Sequence, residues 1–163
     1  MAAATRLDCR AMATVEVQGI GGLKGLLGQK VGPSRWREVT QEDIDTFARM
    51  SGDDQWIHVD VERAKSESPF GTTIAHGFLT LSLIPELAPK LAVPGVRMGI
   101  NYGLDRVRFI TPVKVGSRIR ARSKLVDVFE VEGGLQLKSE VTVEIEGSER
   151  PACVAETIAR YYL

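Results

Sequence analysis

Phe78-Leu79-Thr80-Leu81-Ser82-Leu83-Ile84-Pro85-Glu86-Leu87-Ala88-Pro89-Lys90-Leu91-Ala92 is the stretch that decides the fold. Phe78, Leu79, Leu81, Leu83, Ile84, Leu87, Ala88 and Leu91 cover nearly every side of a helix, and a helix apolar all round is a buried one. Pro85 predicts a kink or a break, because proline lacks the N–H and crowds the preceding turn. From residue 96 onward the apolar period changes to two. Strands are predicted over 97–102, 105–111, 117–131, 134–146 and 151–162, with Glu132-Gly133-Gly134 joining two of them as a hairpin. In 135–145, Leu135, Leu137, Val141, Val143 and Ile145 alternate with Gln136, Lys138, Glu140, Thr142 and Glu144. That is a sheet with one wet face. The fold class is α+β: a long antiparallel sheet curved around one central apolar helix.

Upstream, Thr40 with Asp43 three residues on forms a variant capping box. Ile44, Phe47 and Ala48 line one face of the helix that follows, and Gly52 sits where a C-cap glycine ends it. Asp53 therefore lies in a turn just past a helix end. Asp60 caps a second short helix over 61–66, and Ser68-Pro69-Phe70-Gly71 is a loop. Residues 15–34 hold Gly19, Gly21, Gly22, Gly25, Gly28 and Gly32. They lack the spacing of a phosphate loop and are read as a loosely packed lead-in. Met1 to Thr14 is Ala-rich with two arginines and one acid. It faintly resembles a transit peptide but is read as a floppy tail, with Met12 an equally possible start. The expected organisation is a flexible extension over 1–24 and one domain over 25–163.

A chain of 163 residues, 44% hydrophobic and 26% charged, suits one globular domain. Its formal net charge of zero gives no global pull toward nucleic acid or an anionic membrane, and no apolar run is long enough to span a bilayer. Cys9 and Cys153 form no CxxC pair, which argues against a disulfide framework or a structural zinc site. Cys153 is expected to be a buried, inert thiol. This usage suits a reducing compartment, the cytoplasm.

The two histidines, His58 and His76, share a short region with Asp53 and Gly77. Asp53 and His58 can share a water or a proton. His76-Gly77 opens the apolar helix, and a helix start exposes free N–H groups. An acid/base pair beside an oxyanion donor serves proton chemistry next to a carbonyl. Gly77 suits the donor role because it has no side chain to block close approach.

Ser51-Gly52-Asp53 with His58 resembles the signature of the MaoC-like (R)-specific enoyl-CoA hydratases. Ile74-Ala75-His76-Gly77-Phe78 resembles that family's turn into the central helix. Val107-Arg108-Phe109-Ile110-Thr111-Pro112-Val113 and Val115-Gly116-Ser117 are similar to its strand and Pro/Gly corner. The match covers roughly residues 30–163, and Gln55-Trp56-Ile57-His58 looks most like the NodN-like branch. The common form has Asn-Pro where this chain has Gln55-Trp56. The resemblance implies a hot-dog fold, a homodimer joined edge to edge, and an acyl-thioester substrate on coenzyme A or acyl carrier protein. It implies Asp53 and His58 as the catalytic pair and the Gly77 N–H as oxyanion donor. Ser51, Gln55, Trp56, His76 and Ser82 are expected to support the site or line the substrate.

In this scheme His58 is the natural base, and Asp53 holds the same water if an apolar wall such as Ile57 and Trp56 raises its pKa. The pair titrates together, so acid and base are not assigned separately. No metal, nucleotide or flavin is required, so no cofactor is expected. The expected reaction interconverts a trans-2-enoyl-CoA and an (R)-3-hydroxyacyl-CoA. A thioesterase, with Asp53 activating water toward the carbonyl, and a non-catalytic acyl-thioester binder remain open.

Other groups have plainer readings. His76 is taken to brace its loop. A metal site of His58, Asp60 and His76 has no compact motif spacing. Arg118, Arg120, Arg122 and Lys124 suit either a grip on coenzyme A phosphates or a cross-strand charge ladder. The ladder is favoured, with Arg122 facing Glu144 and Arg120 facing Glu146 if Val131 pairs with Leu135. Ser51 and Ser82 lack a GxSxG nucleophile elbow. Ser82 is expected to bond a helical carbonyl or line the acyl tunnel.

Overall fold

A computed structural model describes residues 14–163. The expected tail and Cys9 lie outside the described residues. The elements in order are β1 (Thr14–Glu16), α1 (Gly19–Gly25), β2 (Lys30–Val31), β3 (Arg37–Glu38), α2 (Gln41–Ser51), α3 (Trp56–Val59), α4 (Val61–Glu67), α5 (Gly77–Ser82), α6 (Ile84–Leu87), β4 (Lys90–Ala92), β5 (Met98–Phe109), β6 (Arg118–Val131), β7 (Gly134–Ile145) and β8 (Cys153–Tyr162).

The main sheet runs β2-β6-β7-β8-β5, with β3 also paired to β6, and every pairing in it is antiparallel. β1 pairs separately and in parallel with β4. The buried core under α5 and α6 includes Val39, Ile44, Leu79, Ile119, Val141, Val143 and Cys153. Each such side chain contributes about 1.5–3 kcal/mol by leaving water. Among the described residues, no helix is long and apolar enough to cross a membrane.

The decisive stretch is apolar as read, but it is not one helix. It breaks at Leu83, and Pro85 sits in the first turn of α6, where its missing N–H costs nothing. Lys90–Ala92 becomes strand β4. The helix is also not buried all round, since Phe78 is 66% exposed. The expected strands 97–102 and 105–111 are one strand, β5, carrying irregularities between Asn101/Gly103 and Leu104/Arg106. A bulge absorbs an extra residue without ending pairing. The hairpin closes one residue tighter than expected, with Val131 opposite Gly134. A second register shift at Leu125/Asp127 places Arg120 opposite Glu144 and Arg122 opposite Thr142. The combined displacement is even, so the charged side chains keep their face. The ladder exists: Arg118–Glu146 at 3.1 Å, Arg120 and Arg122 each at 2.6 Å from Glu144, and Lys124–Glu140 at 3.6 Å.

Residues 14–24, expected within a flexible extension, instead form β1 and most of α1. Leu23 is fully buried and packs with Val17, Leu125, Leu135 and Leu137. The glycines hid an apolar anchor that needs a partner. Thr40 caps α2 as read: its side chain accepts from the Asp43 N–H, and the Asp43 carboxylate accepts from the Thr40 N–H. Arg37 then ties Asp43 and Glu86 together, joining the start of α2 to α6. α4 and its Asp60 cap are also as expected.

Candidate active site

Gly52 ends α2 in the left-handed region at φ 75°, which a glycine adopts without a Cβ clash. The chain turns there and presents Asp53. Ser51 Oγ donates to the Phe47 carbonyl at 2.7 Å and accepts from the Asp53 N–H at 3.3 Å. Its role is to shape this turn. Gln55 is the N-cap of α3, a helix not among the predicted elements, and it makes no side-chain cap bond.

His58 is buried within α3. Its Nδ1 donates to the Ile74 carbonyl at 2.7 Å, an assignment that follows because a carbonyl only accepts. Nε2 is left free. The Ile74 N–H donates in return to the Ile57 carbonyl at 3.1 Å, so the two segments are laced together. Burial pushes the His58 imidazole below its ordinary value near 6.5; the Ile74 bond opposes this, neighbouring His76 adds to the lowering, and the Asp53 carboxylate opposes it without reversing it.

His76 does what its plainer reading said. Its Nε2 donates to the Asp53 backbone carbonyl at 2.8 Å, bracing the turn. It also stacks on His58, with ring centroids 3.8 Å apart and planes at 27°. Phe47 closes its other flank at 5.1 Å. His76 Nδ1 is buried without a hydrogen-bond partner. Asp53, His58 and His76 bring ligand-type atoms within 4.8 Å of one another, a carboxylate and imidazole donor set a transition metal accepts. Asp60, the third ligand weighed from sequence, instead caps α4 by accepting from the Arg63 N–H at 3.0 Å.

The apolar wall expected around Asp53 is not built by the described residues. Asp53 is exposed, and the Trp56 ring lies 4.4 Å from the Arg63 guanidinium carbon. Gly77 is the first residue of α5, and no hydrogen bond from its N–H occurs among the described residues. A Cβ at Gly77 would stand 2.6 Å from the Phe109 ring. The close approach that glycine permits is therefore made first by Phe109. Ser82 is exposed at the end of α5 and lines a cavity of about 460 Å³.

Two positioning groups escaped the sequence reading. Gln41 Nε2 donates to the His58 carbonyl at 2.8 Å, and its Oε1 accepts from the buried Thr73 hydroxyl at 2.6 Å. The Val113–Val115 segment pairs with 73–75: the Ala75 N–H donates to the Val113 carbonyl at 2.7 Å, and the Val115 N–H to the Thr73 carbonyl at 3.0 Å. Gln41 reads as an ordinary first-turn residue, and a two-bond bridge between loops has no periodicity.

A carboxylate and two imidazoles gathered past a helix end, a glycine opening the next helix and an antiparallel sheet behind them have known relatives. The family model described as the MaoC like domain matches residues 23–147, and the chain belongs to that family. It is 53% identical over 146 residues to 3-hydroxyacyl-thioester dehydratase Z of Mycobacterium tuberculosis, covering 88% of this chain and 96% of that protein. It is 52% identical to nodulation protein N of Rhizobium leguminosarum bv. viciae, covering 81% and 84%. A monoamine oxidase regulatory protein from Archaeoglobus superposes with TM-score 0.71 at 26% identity, over 92% of this chain and 97% of that one. An R-hydratase from Pseudomonas aeruginosa shares the hot-dog fold, with TM-score 0.62 at 23% identity over 83% and 81%.

Proposed function

We propose that this protein is a hydro-lyase acting on 3-hydroxyacyl thioesters, interconverting a trans-2-enoyl-CoA and its (R)-3-hydroxyacyl-CoA. The observation that carries the reading is the approach of the Asp53 carboxylate to within 4.8 Å of His58, whose Nδ1 is committed to a carbonyl while Nε2 has no partner among the described residues. The 53% identical relative, named as a dehydratase of such thioesters, supports the same chemistry.

In the hydration direction, His58 Nε2 and Asp53 hold one water. His58 takes its proton as the oxygen bonds the β-carbon, the α-carbon receives a proton from the pair, and charge collects on the thioester oxygen. The free Gly77 N–H donates to that oxygen. One such donor is typically worth about 3–4 kcal/mol of barrier. Dehydration runs the same steps backwards.

The working unit in this reading is a homodimer. β5 is an edge strand of 12 residues, and Met98, Tyr102, Leu104 and Phe109 are each about half exposed along it, beside Phe78. A long apolar edge invites a second strand. A second copy there would also supply the cover Asp53 lacks. The cytoplasm, a reducing compartment, suits Cys153, a buried thiol pushed up to about 11.

Incubation with crotonyl-CoA tests the function. Loss of enoyl absorbance without free thiol is the expected result, and chiral chromatography of the product should give the (R) alcohol. Thiol release would mean hydrolysis instead, and no change would leave an acyl-thioester binder.

A further inference from the structure

The inner face of the sheet carries two separate apolar clusters, one around Ile44, Ile119 and Val143 and one around Leu23, Leu125 and Leu137. Between them lies a row of small polar side chains: Asn101 on β5, Thr157 on β8, Ser139 on β7 and Ser123 on β6. Thr157 and Ser139 are direct cross-strand partners. Ser139 stands opposite Leu125, two residues from Ser123, and Asn101 opposite Ala159, two residues from Thr157. Alternation fixes their side. Ser123 falls between buried Ala121 and Leu125, Ser139 between buried Leu137 and Val141, and Thr157 two residues from buried Ala155.

All four line a cavity of about 520 Å³. Asn101 and Thr157 also line the neighbouring cavity of about 460 Å³, which reaches Leu81 and Ser82 at the end of α5. The two cavities share Ile84 and Pro85 as a wall. Among the described residues, the one side-chain hydrogen bond in the row runs from Thr157 Oγ1 to the Ser139 carbonyl at 3.3 Å. The hydroxyls of Ser123 and Ser139 and the Asn101 amide have no protein partner there.

Large apolar side chains would fill such a row in an ordinary core. Here the row leaves room and unpaired polar groups together. A plain alkyl chain entering it strips water from those groups and returns no bond. A chain carrying an oxygen at that depth restores the bonds it displaces.

We propose that Asn101, Thr157, Ser139 and Ser123 form a subsite for a hydroxyl or keto oxygen borne far along the acyl chain, so that the substrate class is an oxygenated acyl thioester. This rests on the reading that places the thioester at Gly77. α5 rises about 8 Å from Gly77 to Ser82 at about 1.5 Å per residue, and Asn101 and Thr157 lie further in, across the cavity that Ser82 lines. A decanoyl chain is long enough to reach them.

Calorimetric titration of the full chain with decanoyl-CoA and with 10-hydroxydecanoyl-CoA measures this without turnover. The hydroxylated ligand should bind about tenfold tighter, as one or two net hydrogen bonds allow. Ser139→Ala and Thr157→Val should each cut the preference to about threefold or less, while decanoyl-CoA binds as well as before or better. Equal affinity of the wild-type chain for both ligands overturns the proposal. So does a preference that survives in Ser139→Ala, Thr157→Val and Asn101→Leu alike. Crotonyl-CoA hydration, followed in parallel, reads the parent function separately, because that acyl chain is too short to reach the row. Variants that keep it are folded, and its absence in the wild-type chain counts against the hydratase reading while the binding comparison still decides the subsite.

Discussion

His58 Nδ1 is committed to the Ile74 carbonyl, which fixes Nε2 as the nitrogen able to take a proton. The base works only when neutral. Burial, then His76 beside it, lowers the His58 pKa, so the neutral form persists below the ordinary imidazole value. The acidic limb of kcat/KM should accordingly lie below pH 6.5; a limb above that value in a pH–rate profile would contradict the site as drawn. Asp53→Asn and His58→Ala should each lower turnover of crotonyl-CoA at least about a hundredfold while circular dichroism stays that of the parent. Full activity in either variant would remove that residue from the dyad. Gly77 makes a separate point. An added methyl meets the Phe109 ring at 2.6 Å, and forcing that ring aside costs about 1–3 kcal/mol. Gly77→Ala should therefore unfold at lower urea, and Phe109→Leu in the same chain should recover part of the loss. If the two changes simply add, Phe109 is not what the glycine makes room for.

The element that sets the turn carrying Asp53 is α2, whose two ends were both readable. Thr40, Asp43 and Gly52 are local signals, each acting within a few residues, and each stands where its chemistry demands. Thr40→Ala should cost about 1 kcal/mol, measurable as a lower urea midpoint with an unchanged slope. No change would mean that the Arg37 bridge to Asp43 and Glu86 holds this end without the cap. The decisive stretch was harder. Its composition gave the right side of the sheet for the helix, and Pro85 gave the break. But apolarity alone does not separate a buried helix from helix, turn and strand in succession, and Lys90–Ala92 became a strand because β1 lies alongside it. β1 and α1 were missed for the converse reason: six glycines masked the one leucine that matters, Leu23. The nearness of Asp53 to His58 and the place of Gly77 at the start of α5 were legible because they follow from residue type and spacing. Gln41 and the Ile74 carbonyl were not, since what they do depends on segments brought together only by folding.

For the whole molecule, the two cores and the edge strand belong to one argument. Among the described residues the sheet ends at β5, with Met98 at 53%, Tyr102 at 52% and Leu104 at 46% exposure. Phe78 and Phe109, in edge-to-face contact at 5.7 Å, continue that apolar surface to the mouth of the site at Gly77. A monomer would leave this surface wet and Asp53 open to solvent, where a carboxylate is least able to share a proton with a neutral imidazole. In the proposed dimer, pairing β5 with the β5 of a second copy would satisfy the edge, bury the aromatic pair and cover the carboxylate in one event. Replacing Tyr102 and Leu104 together by lysine places charge on that edge, the device by which sheets resist pairing. Light scattering after gel filtration should find the parent chain at twice its 17.8 kDa mass and the double variant at the single mass. Because neither residue touches Asp53, His58 or Gly77 in any contact described here, a monomer that keeps full crotonyl-CoA turnover would separate catalysis from assembly. A parent chain that is itself monomeric and fully active would remove the dimer from the mechanism.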